Sequence, residues 1–117
     1  MLTERATISK PPSPDEPILA EVVRRLVEAY LPERIYLFGS VARGDAGPDS
    51  DYDILVIVPD DAPPERLRSR LAYRALRGTG TAVDVVVWPK SSFERRARVA
   101  ASLPAAVMRE GMLLYGF

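Results

Sequence analysis

The chain has 117 residues, 47% of them hydrophobic, with sixteen basic and sixteen acidic side chains and formal net charge zero. That length fits one domain, and the charge balance excludes a global field that would draw the protein onto nucleic acid or an anionic membrane. Cysteine and histidine are both absent, which removes disulfides, thiol chemistry and imidazole. Any general base or metal ligand must then be a carboxylate, favouring hard cations such as Mg2+ over Zn2+.

Residues 1–16 carry no apolar periodicity and are rich in proline, so they are expected to form a flexible leader before a single domain over 17–117. Ser13 or Asp15 is placed to cap a helix starting near Pro17. Ile18, Val22, Leu26 and Ala29 repeat at helical spacing, opposed by Glu21, Arg24, Arg25 and Glu28, and Pro32 stops the helix. Ile35–Phe38 is a short apolar run that predicts a buried strand. Gly39–Ser50 is expected to be a loop with one helical turn around Val41 and Ala42. Tyr52–Val58 is apolar on both faces and closed by Pro59, the mark of a strand covered on both sides.

Pro63 and Pro64 suit the first turn of a helix reaching about Arg77, with Leu67, Leu71 and Ala75 inward. Gly78-Thr79-Gly80 breaks it. Val83–Trp88 predicts a third strand ended by Pro89, Ser91 or Ser92 the cap of a short helix, and Leu103–Glu110 a last helix. Gly111 leads into Met112–Tyr115, expected to be an edge strand. This order of elements indicates an α/β (α+β) domain. No signal-peptide core and no run of membrane-spanning length is present in the sequence, so the expectation is a soluble, cytoplasmic protein.

The stretch Gly39-Ser-Val-Ala-Arg-Gly-Asp-Ala-Gly-Pro-Asp-Ser-Asp-Tyr-Asp53 carries most of the chemistry. Asp51 and Asp53 lie on one face of a strand, their Cα atoms roughly 6.6 Å apart, so the two carboxylates can converge on one ion or bridge a pair. Asp84 falls inside a later apolar run, where an unpartnered charge is costly. It could supply a further carboxylate to the metal and help deprotonate an acceptor hydroxyl. Gly39 and Gly44 let backbone approach phosphate, free amides beyond Gly39 with the Ser40 hydroxyl form an anion nest, and Arg43 adds a forked donor. Singly, each has a plainer explanation: Ser50-Asp51 suits an Asx turn, and Gly44, Gly47 and Pro48 suit turn punctuation. The combination, bounded by two strands, favours a metal–nucleotide site.

The string Gly39-Ser40, ten residues, Asp51-Tyr-Asp53 resembles the signature of the polymerase-β-like nucleotidyltransferase superfamily. The fuller string, with Val-Ala-Arg-Gly-Asp45 and Ser50-Asp-Tyr-Asp-Ile-Leu-Val56, is similar to its minimal branch, the MNT-domain proteins, over about residues 20–115. The resemblance implies a mixed β-sheet flanked by helices and Mg2+, as two ions, held by Asp51, Asp53 and Asp84. It implies ATP gripped near Ser40 and transfer of AMP. It also implies a partner, a small helical HEPN-type protein, to which minimal members act as antitoxins, some by adenylylating a tyrosine. Larger relatives carry an additional helical domain, for which 117 residues leave no room; the cleft is expected to be open, completed by a partner subunit or a second copy of the chain. Two alternatives accompany this reading: a catalytically weak nucleotide-binding antitoxin that masks its partner, and a small-molecule (antibiotic-type) nucleotidyltransferase.

Arg66, Arg70, Arg74 and Arg77 fall near one stripe of the helix predicted after Pro64. They could meet an acidic partner or phosphates, or simply form the solvated face. Tyr36 and Tyr52 could stack on a base or belong to the core. Trp88 suits a cleft rim or an interface, and the apolar ending Met112–Phe117 an edge strand or a partner-binding strip.

Overall fold

The computed structural model describes residues 16–44 and 51–116. The leader, its cap at Ser13 or Asp15, and the loop residues 45–50 lie outside the described residues. Helix α1 (Glu16–Tyr30) is followed by β1 (Arg34–Phe38), a short α2 (Gly39–Arg43) and β2 (Tyr52–Val58). A 3₁₀ turn (Pro64–Leu67) and α3 (Arg70–Ala75) lead to β3 (Val83–Pro89), then α4 (Lys90–Arg96), α5 (Leu103–Glu110) and β4 (Met112–Tyr115).

The four strands form one mixed sheet in the order β3-β2-β1-β4. β1 pairs antiparallel with both β2 and β4, and β2 pairs parallel with β3. A parallel pair needs a crossover, and the segment through α3 supplies it. β4 lies at an edge, as its sequence position predicts. The ladder to β1 shifts register between Ile35 and Tyr36.

β2 is apolar on both faces because both faces are covered. On one side Leu19, Val22, Leu26 and Tyr30 of α1 meet Ile35, Leu37, Ile54, Val56, Val58 and Val85, with Ala72 and Leu76 closing the layer. On the other, Phe93 of α4 and Val107 of α5 pack on Tyr36, Leu55 and Ile57. α1 ends at Leu31 in the left-handed conformation (φ 47°), its N–H donating to the Val27 carbonyl at 3.0 Å before Pro32. The buried Tyr30 hydroxyl donates to the Arg68 carbonyl (2.5 Å) and accepts from the Ala72 N–H (3.0 Å). It thereby fastens the crossover to α1.

Two local expectations are corrected, and two open alternatives are resolved. The helix after Pro64 is not continuous: Arg68 is extended (φ −106°, ψ 135°) between the 3₁₀ turn and α3, which resets the helical phase. Leu67 is therefore exposed, Leu71 and Ala75 are half-buried, and Ala72 and Leu76 take the inward places. Ser91 and Ser92 do not cap α4, because Pro89 is its N-cap residue and the serines lie within its first turn. Tyr36 and Tyr52 belong to the core, and Tyr36 stacks on Phe93 with ring centroids 6.1 Å apart, so neither ring offers a face to a base. Trp88 is half-buried against the α4/α5 layer.

Candidate active site

The site lies where β1 ends and β2 and β3 begin. The antiparallel register sets Phe38 opposite Asp53, and the parallel register sets Asp53 beside Asp84. Parallel strands are about 4.8 Å apart, so these two carboxylates leave the sheet as neighbours on one face. Asp51 stands just before β2, exposed; Asp84 is exposed and Asp53 half-buried.

Asp53 is held against the start of α2. Gly39 has φ +78°, and a Cβ added there would overlap the Asp53 carboxylate and stand 3.1 Å from its Cγ. The residue must therefore be glycine twice over, for its left-handed backbone and for the carboxylate against it. Gly44 (φ +83°) has open space around it, so only its backbone conformation asks for glycine. Ser40 is half-buried in α2, directly after Gly39.

The electrostatics converge on Asp53. Its carboxyl is pushed above the usual carboxylate range, first by burial and then by the negative charges of Asp84 and Asp51, while the Arg43 guanidinium opposes the rise. Arg43 in turn pairs with Glu110 of α5 at 3.8 Å, both side chains about half exposed at 46%. Glu110 was invisible to sequence reasoning, because only the packing of α5 beside α2 brings it to Arg43.

Among the described residues, no three acidic side chains are gathered into a ready metal-holding group. The donor chemistry nonetheless fits a hard divalent cation: the available ligands are carboxylates, in a chain without histidine or cysteine, and two of them raise the proton affinity of a third. A divalent cation relieves that same repulsion. The structure thus brings Gly39, Asp53 and Asp84 together, keeps Asp51 and Arg43 within electrostatic reach of Asp53, and leaves Gly44 at the exposed end of α2.

A family model described as the nucleotidyltransferase domain matches residues 18–109. The chain belongs to the nucleotidyltransferase domain family. Its fold is shared with a Sulfolobus solfataricus protein assigned as a nucleotidyltransferase, at 24% identity and TM-score 0.59, with 94% of this chain and 93% of that one covered. A toxin–antitoxin structure with AMP-PNP is similar at 27% identity and TM-score 0.55, over 82% of this chain and 72% of that one. The toxin–antitoxin MntA–HpeT, in a form with two nearby aspartates changed to glutamate, is similar at 26% identity and TM-score 0.54, over 81% and 71%. The search of curated proteins gave no match. The mixed sheet flanked by helices is the nucleotidyltransferase fold, and two of the similar solved structures are toxin–antitoxin complexes. No described helix is long and apolar enough to cross a membrane.

Proposed function

We propose that this nucleotidyltransferase moves AMP from ATP to a protein hydroxyl, as the antitoxin of a HEPN-type partner, with Asp51, Asp53 and Asp84 as metal ligands. The observation that carries the proposal is Asp53 seated on Gly39 with Asp84 in register beside it, in a chain of this family. Support for the nucleotide comes from the neighbour solved with AMP-PNP. Support for the paired aspartates comes from the MntA–HpeT form in which two aspartates were exchanged.

The roles follow from position. Gly39 and Ser40 bind the triphosphate through backbone N–H groups and the Ser40 hydroxyl, where Gly39 permits close approach. Arg43, drawn partly toward Glu110, turns its guanidinium to phosphate oxygens and neutralises them. Asp51 and Asp53, with Asp84, would hold Mg2+. Asp84 accepts the acceptor's proton as its oxygen bonds to the α-phosphorus and the bond to pyrophosphate breaks. Bound Mg2+, as a pair of ions, supplies Lewis acidity and neutralises the charge that develops on the phosphoryl oxygens.

The test is label transfer from α-phosphate-labelled ATP with Mg2+ into a lysate of the source cell, run beside Asp53→Asn. A discrete protein labelled only by the intact chain is the expected result. Nucleotide binding without transfer in both proteins would overturn it and leave an antitoxin that acts by masking. Label on a small molecule instead would replace the protein acceptor.

A further inference from the structure

The segment from Arg66 to Val83 contains five arginines and no acidic residue. On α3 and the turn that continues it, Arg70, Tyr73, Arg74 and Arg77 fall at i, i+3, i+4 and i+7, which is one face of a helix. All four are exposed, Tyr73 by 55%, while the opposite side buries Ala72 and Leu76 in the core. The turn keeps the helical path, with Leu76 N–H donating to the Ala72 carbonyl at 2.9 Å and Arg77 N–H to Arg74 at 3.3 Å.

The neighbouring helix treats its arginines differently. On α1, Arg24 pairs with Glu21 and Glu28 at 2.6 and 2.9 Å, and Arg25 with Glu21 at 2.8 Å. Among the described residues none of the α3 arginines makes an ion pair. Like charges at this spacing weaken a helix, so the stripe carries a repulsion that an acidic surface would remove. An exposed tyrosine among arginines is the composition of an interface centre rather than of ordinary surface.

We propose that Arg70, Tyr73, Arg74 and Arg77 form a docking surface for the acidic face of a protein partner. The balanced charge of the whole chain argues against a polynucleotide as the occupant, and the exposed ring of Tyr73 among the arginines suits a protein surface. The surface goes beyond the transfer reading and stands without it, because binding alone reads it out.

The full chain is titrated, by fluorescence anisotropy, into a labelled short peptide of Glu, Ala and Leu with Glu and Leu at helical spacing. A peptide with Gln in place of Glu and a poly-U RNA are titrated in parallel. The acidic peptide is expected to bind at least ~10-fold more tightly than the other two, with affinity falling as salt rises. Arg70→Glu/Arg74→Glu is expected to lose about tenfold and Tyr73→Ala severalfold, while Arg95→Glu/Arg96→Glu on α4 stays within about twofold. Thermal melts check the fold, with Arg70→Gln/Arg74→Gln read instead should the charge-reversed form not fold. Equal binding of the Gln peptide, tighter binding of the RNA, or an equal loss in the α4 variant would each overturn the surface. Transfer failing while the acidic peptide binds would refute the transfer reading alone.

Discussion

Replacing Gly39 by alanine perturbs the fold and the site at one atom. The left-handed backbone at φ +78° costs an L-residue about 1–2 kcal/mol. The added methyl would overlap the Asp53 carboxylate and press on Cγ at 3.1 Å, a crowding worth about 1–3 kcal/mol. Alanine returns about 0.4–1 kcal/mol by stiffening the unfolded chain, so the net destabilisation is near ~3 kcal/mol, a large share of a small domain's stability. The two contributions separate in a double-mutant cycle, because Asp53→Ala removes the carboxyl and leaves Cβ, 3.3 Å from the new methyl, as the nearest atom. In that background Gly39→Ala should cost only the backbone part, about 1 kcal/mol. Urea unfolding of the wild type, both single variants and the double variant measures the cycle. Equal costs of Gly39→Ala in both backgrounds would refute the seating of Asp53 on α2.

Asp53→Asn tests the electrostatics of the same place. A carboxyl with a raised folded-state pKa contributes stability below the ordinary carboxylate pKa, and loses it as pH rises through the raised value. At neutral pH without divalent cation the Asn variant should therefore melt above the wild type, with the gap closing as pH falls toward the ordinary carboxylate range; added Mg2+ with ATP should stabilise the wild type alone, and an unchanged or lower melting point for Asn would contradict the account. Tyr30→Phe leaves the Arg68 carbonyl and the buried Ala72 N–H without their partner and should cost about 1–3 kcal/mol in urea unfolding. Ser102→Ala removes a buried hydroxyl that accepts from Ala105 N–H at 3.1 Å and donates to the Arg96 carbonyl at 2.6 Å; a loss of about 1–2 kcal/mol is expected by the same assay.

Much of this architecture was legible in the chain because its punctuation is strong. Pro32 and Pro59 follow elements they must end, β2 declares two covered faces by being apolar throughout, and Gly111 separates α5 from β4. The segment after Pro64 was misjudged for a physical reason: a 3₁₀ turn advances with three residues per turn, and one extended residue at Arg68 then restarts the helix on a new phase. No periodicity in the sequence announces that reset. The candidate site was legible as residue types. Its assembly was not, since the pairing of Asp53 with Asp84 depends on β3 crossing over to lie parallel to β2. Gly39 could be read as a glycine that something needed, but the carboxylate against it came from a strand on the far side of a loop. Glu110 beside Arg43 arises from tertiary packing alone.

Anomalous scattering from Mn2+ is the most direct test of the central claim, in crystals of the full chain grown with α,β-methylene-ATP, whose α–β bond cannot be cleaved by transfer. The account predicts metal density bound by Asp51 and Asp53, with Asp84 beside it and the triphosphate along Gly39 and Ser40. Metal bound elsewhere, or a nucleotide seated away from these carboxylates, would contradict it.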